Sequence, residues 1–134
     1  KKSLKLRKKM FEDKEDEQSI REYERLEQLY TLGDVNFDSV IIIDFGNNLK
    51  SGLVKVAQEN KFDLVVSGVP TMPYFRLNNV DIRIHNSWID ECLKRGLYMV
   101  NYHNHFISTT HDKEDLENIL EIASDSFSAL SKSL

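Results

Sequence analysis

The segment from Asp112 to Leu134 constrains the fold most. Leu116, Ile119, Leu120, Ala123, Phe127 and Leu130 recur at helical spacing and keep one face apolar over about four turns. Asp112 is a good N-cap, and Glu114 and Asp115 favour the positive end of the helix dipole. Ile20, Tyr23, Leu26, Leu29 and Tyr30 predict an earlier helix ending near Gly33. A further helix is expected over "NSWIDECLKRG", capped by Asn86 or Ser87 and ended by Gly96, with Ile89, Cys92 and Leu93 facing inward.

The middle of the chain reads as strands. "KFDLVVSGVP", 61–70, is a short apolar run closed by Gly and Pro, and "PYFRL" follows as a second strand. Asn78–Asn79 suits a tight hairpin turn, because Asn tolerates positive φ. Val80, Ile82 and Ile84 alternate with Asp81, Arg83 and His85, the pattern of a half-buried strand with His85 on its outer side. "LYMVN" and "FISTT" read as two more short strands. Residues 37–61 are ambiguous. The β-branched run Val40 to Ile43 favours strand, but from Asn47 onward Leu49, Leu53, Val54 and Ala57 share a helical face. Strands and helices mix without strict βαβ alternation. The expected class is α+β, a small three- to four-stranded, mostly antiparallel sheet with helices packed on one side.

Composition narrows the function classes. A chain of 134 residues with 40% hydrophobic content suits a single globular unit. It contains no apolar run of membrane-spanning length, and no signal peptide is visible. Its one cysteine, Cys92, cannot form an internal disulfide, which fits a reducing, cytoplasmic setting. The net charge of −4 argues against nucleic-acid binding. Residues 1–19 segregate charge, Lys1 to Lys9 first and then Glu12 to Glu17, as a solvated leader or a basic contact patch for a partner. The expected division is a charged leader and helix over 1–33 and a folded domain over 34–134.

"YHNHFISTTHDKEDL", 102–116, holds three of the four histidines. His103 and His105 would share a face of an extended strand, but no H-E-x-x-H or C-x-x-C spacing accompanies them. His111 stands one residue before a helix cap, where packing is the simpler role. Cys92 lies on the apolar face of its expected helix, as a packed thiol. Ser108 and Thr109 lack a nucleophile elbow, and "GVPTMP" is no phosphate loop. By residue chemistry alone no catalytic set assembles.

The stretch "ECLKRGLYMVNYHNHFISTTHDKEDLENILEIASDSFSAL" resembles the C-terminal segment of class III pyridoxal-phosphate-dependent aminotransferases, the glutamate semialdehyde aminomutase branch above all. The similar features are a helix ending in Arg95–Gly96, the strand Leu97 to Val100, a variable loop at Tyr102 to His105, and "FISTTHDKED" opening the last helix, with Asp112 in place of the usual Thr. "NNLKSGLVKVAQENKFDLVVSGVPTMPYFRL" resembles the family's preceding helix and first small-domain strand. The resemblance covers roughly residues 45–134. It implies the C-terminal small domain of a fold type I pyridoxal phosphate (PLP) enzyme, with helix from about Asp34 to Asn60. It also implies a homodimeric parent acting on an amino acid or amino-ketone. Tyr102, His103, Asn104 and His105 would then border the substrate pocket. PLP would be the parent's cofactor, held by a Schiff-base lysine and an acidic partner in a large domain outside this chain. No catalytic, cofactor-binding or metal residue is expected within residues 1–134. The alternative is a catalytically inactive interaction domain that kept this fold.

Overall fold

The computed structural model describes residues 37–134, together with Arg21, Glu24, Arg25 and Gln28, which are helical. The rest of the expected leader and first helix, and residues 34–36, lie outside the described residues. In chain order the elements are helix α1 (Phe37–Glu59), strands β1 (Leu64–Ser67) and β2 (Tyr74–Leu77), and helices α2 (Ile82–Lys94) and α3 (Lys113–Ser133). This is the α+β class expected.

The ambiguous segment 37–46 is helical. Val40 and Ile41 are both buried, as are Phe45, Leu49 and Leu53 further along the same element. Burying an aliphatic side chain contributes about 1.5–3 kcal/mol. A β-branched residue costs a helix less than about 0.7 kcal/mol, so packing overrides the local strand preference. Gly46 lets α1 approach the loop after β1. A Cβ there would stand 1.9 Å from the Pro70 carbonyl oxygen.

The strands pair antiparallel, Leu64 opposite Leu77 and Ser67 opposite Tyr74. Among the described residues they form one two-stranded sheet, not the three or four strands expected. The hairpin expected at Asn78–Asn79 is instead a helix start. Asn79 does take positive φ, at 57°, but Asp81 then caps α2, its carboxylate accepting from the Arg83 N–H at 2.8 Å. The cap of α2 thus lies five or six residues before the expected one at Asn86 or Ser87. Ser87 bonds back within the helix to the Arg83 carbonyl. His85, expected to face out, is fully buried with Trp88 and Cys92. Leu93, expected inside, is 52% exposed.

The expected strands 97–101 and 106–110 are irregular chain. Their backbone is satisfied in other ways. His105 and Ile107 donate their N–H groups to the Pro73 and Thr71 carbonyls, and Val100 N–H donates to the His105 ring.

α3 carries the stripe expected of it. Leu116, Ala123, Phe127 and Leu130 are buried, while Ile119 and Leu120 are half-buried. Asp112 and Asp115 form a reciprocal capping box. α3 packs against both α1 and α2, and Phe127 stacks on Trp88 at 4.6 Å and on Phe62 at 5.2 Å between ring centres.

Candidate functional site

A cleft of about 360 Å³ opens between α1, β2 and the connection from α2 to α3. Phe45, Leu49, Phe75 and Ile119 contribute to its apolar lining, and all four expected pocket residues, Tyr102, His103, Asn104 and His105, also line it. Phe45, Tyr98 and Phe106 line it too and escaped the sequence reading, because nothing in their local sequence marks them.

Two histidines have their lone pairs in use. His105 Nε2 accepts from Val100 N–H at 3.1 Å, which leaves Nδ1 protonated and directed at the Pro73 carbonyl at 3.4 Å. Burial lowers its pKa, partly offset by that carbonyl. His111 Nδ1 accepts from Ser108 N–H at 2.9 Å, and its ring stacks on Phe45 at 5.1 Å. Neither ring can ligate a cation through those nitrogens without breaking a backbone bond. His103 differs. It is exposed, its Nδ1 lies 2.6 Å from the Asn104 carbonyl, and a carbonyl only accepts, so Nδ1 carries the proton. In the neutral ring Nε2 is then the acceptor, and His103 lines the cleft. Tyr102 stands edge-on to this ring at 4.9 Å. Asn104 anchors the loop, donating to the Met72 carbonyl at 2.6 Å, and Tyr74 does the same through the Asn101 carbonyl at 2.7 Å.

The remaining titratable groups of note lie in helices. Burial pushes the Asp44 carboxyl up to about 7, and its Oδ2 has no hydrogen-bond partner. Burial, with help from the Arg76 guanidinium, brings His85 down to about 4. His85 Nδ1 accepts from Leu77 N–H at 3.2 Å. Burial likewise pushes the Cys92 thiol up to about 11, so it is a packed, unreactive group. Among the described residues no group of three His, Cys, Asp or Glu side chains could hold a metal ion.

The cleft's chemistry does not fit PLP. Its lining includes no lysine to form a Schiff base and no lysine or arginine to hold a phosphate. Lys50, the α1 lysine with a defined contact, donates instead to the Gly68 carbonyl at 3.3 Å.

Fold and cleft together define a small α+β domain with an uncharged, aromatic pocket rimmed by a histidine loop. Over 90 residues, 66% of its length, the chain is 36% identical to an aminopentol aminotransferase of Sphingopyxis macrogoltabida. It also superposes on the PLP internal aldimine form of the Sphingopyxis sp. MTA144 FumI protein, with a TM-score of 0.66 and 33% identity over 69% of the chain. It spans about a fifth of each, 21% of the first and 22% of the second. No family model matches the chain.

Proposed function

We propose that the chain is the C-terminal small domain of a cytoplasmic class III PLP-dependent aminotransferase or aminomutase, running from about residue 34 to 134. The observation that carries this reading is the coincidence of 36% sequence identity to an aminotransferase with structural superposition on a PLP-bearing protein. In this reading a large domain outside the chain holds the cofactor and its lysine, and supplies the amino-group chemistry. The Tyr102 to His105 loop shapes the pocket for an amino acid or amino-ketone, and the whole enzyme is a homodimer.

The test is reductive trapping. Full-length protein treated with borohydride should retain the cofactor on one lysine, and mass spectrometry should place that lysine outside residues 1–134. The 134-residue chain incubated with PLP should yield no stoichiometric single-site adduct. An adduct on one of its own lysines would overturn the reading. A full-length protein with no cofactor lysine would favour the inactive interaction domain instead.

A further inference from the structure

The passage from β2 into α2 gathers hydrogen-bond donors without acceptors. Among the described residues four buried side-chain nitrogen or oxygen atoms have no partner, and three of them are Arg76 Nη1, His85 Nε2 and Trp88 Nε1. All three are donors. A guanidinium and an indole only donate. His85 Nδ1 accepts from Leu77 N–H at 3.2 Å, so in the neutral ring the proton sits on Nε2. Burial keeps that ring neutral, with a pKa of about 4. The fourth atom, Asp44 Oδ2, is an acceptor on α1 and pairs with none of them.

The three residues are neighbours. The His85 ring rests against the peptide that joins Arg76 to Leu77. His85 and Trp88 stand three positions apart on α2, both fully buried, with ring centres 6.1 Å apart. The Arg76 guanidinium acts on both His85 and the Asp81 carboxyl, helping to lower each pKa. Asp81 is already committed elsewhere. Its Oδ1 accepts from the Arg83 N–H and Nε, and its Oδ2 from Arg83 Nη2. None of the ion pairs among the described residues includes Arg76. Buried N–H groups are nearly always paired, and a buried charge is paired with its opposite. One fixed positive charge beside two neutral N–H donors, with no protein acceptor, suits a ligand that only accepts.

We infer that Arg76, His85 and Trp88 form a binding site for a small carboxylate at the junction of β2 and α2. A carboxylate is planar, matches the guanidinium fork, and has lone pairs left for two ring N–H groups. Two of the three donors are fully buried, which favours the smallest members of the class. The site lies apart from the cleft, because none of the three residues lines it. It does not depend on the function proposed above.

Trp88 is the only tryptophan in the chain, so its emission reports on the site directly. The 134-residue chain is titrated with sodium formate, which replaces sodium gluconate at constant ionic strength. Trp88 emission should change and saturate. Arg76→Met should raise the half-saturating formate concentration about tenfold or more. Arg76→Lys keeps the charge without the planar fork and should fall between the two. In full-length protein formate should raise the melting temperature of the wild type, and Arg76→Met should remove that rise. This second measurement covers the case in which Arg76→Met loosens the shorter chain. A linear, unsaturating change in emission would be a general salt effect and would overturn the proposal. So would a saturable response, or a rise in melting temperature, that Arg76→Met leaves unchanged.

Discussion

Asp44 and His85 pull stability in opposite directions as pH changes. Asp44 ionises near 4 in an unfolded chain and at about 7 when folded. Between those values the folded state holds the extra proton, so its contribution is full below about pH 4 and is lost as pH rises through 7. His85 has a folded pKa of about 4 against an ordinary 6.5. Its contribution is present above pH 6.5 and is lost as pH falls through 4. The two slopes oppose each other over the shared window, which flattens the profile of the wild-type chain. Asp44→Asn removes one slope. It should stabilise the protein at pH 8 by ~1–3 kcal/mol, because a neutral amide replaces a carboxylate that must otherwise carry its charge while buried and unpaired, and should stabilise it far less at pH 4.5. Urea melts at the two pH values check this. An equal effect at both would mean that Asp44 does not change protonation on folding. Neither group was legible in the sequence. Asp44 sits in a segment that reads equally as strand, and His85 in an alternation that points it to solvent.

At the scale of elements, Gly46 and Asp112 carry the sharpest expectations. Gly46→Ala improves helix propensity by about 1 kcal/mol. It also drives a Cβ to 1.9 Å from the Pro70 backbone oxygen, which cannot rotate away as a side chain could. Overpacking of this kind costs about 1–3 kcal/mol, so the expected net effect is destabilisation, read as a lowered urea midpoint. A raised midpoint would mean that the loop after β1 does not rest on α1. Asp112→Ala removes half of the capping box and should cost about 0.5–2 kcal/mol, whereas Asp112→Asn should cost much less because Asn still caps. Helix α3 was legible because stripe and cap agree over its whole length. The start of α2 was not. Val80, Ile82 and Ile84 satisfy a period of two over five residues, and that is too short to outweigh the helical register of His85, Trp88 and Cys92. The expected strands at 97–101 and 106–110 failed for another reason. Their backbone partners include the ring nitrogens of nearby histidines and a carbonyl of the loop after β1, and strand propensity records neither.

For the whole molecule, the cleft was half legible. The clustered histidines drew attention to its rim, but its floor comes from Phe45 and Phe75, far away in sequence and placed by tertiary packing alone. The structure also separates histidines that looked alike. His105 and His111 tie down backbone, while His103 lines the pocket with Nε2 as the acceptor of its neutral ring. If that loop shapes a substrate pocket, His103→Ala in the full-length protein should change turnover more than folding. The lost interaction is a single hydrogen bond, worth about 0.5–1.5 kcal/mol to a neutral group and more to a charged one. Since about 1.4 kcal/mol is tenfold in rate, kcat/KM should fall severalfold to roughly tenfold. The ring is exposed, so its truncation leaves no cavity, and stability should move by less than about 0.5 kcal/mol. A metal site would behave differently: chelator would destabilise the wild-type protein and leave the variant alone. Steady-state kinetics and thermal melts, each with and without chelator, separate the two. Unchanged kinetics together with a chelator-sensitive wild-type melt would replace the pocket role of His103 with a metal-binding one.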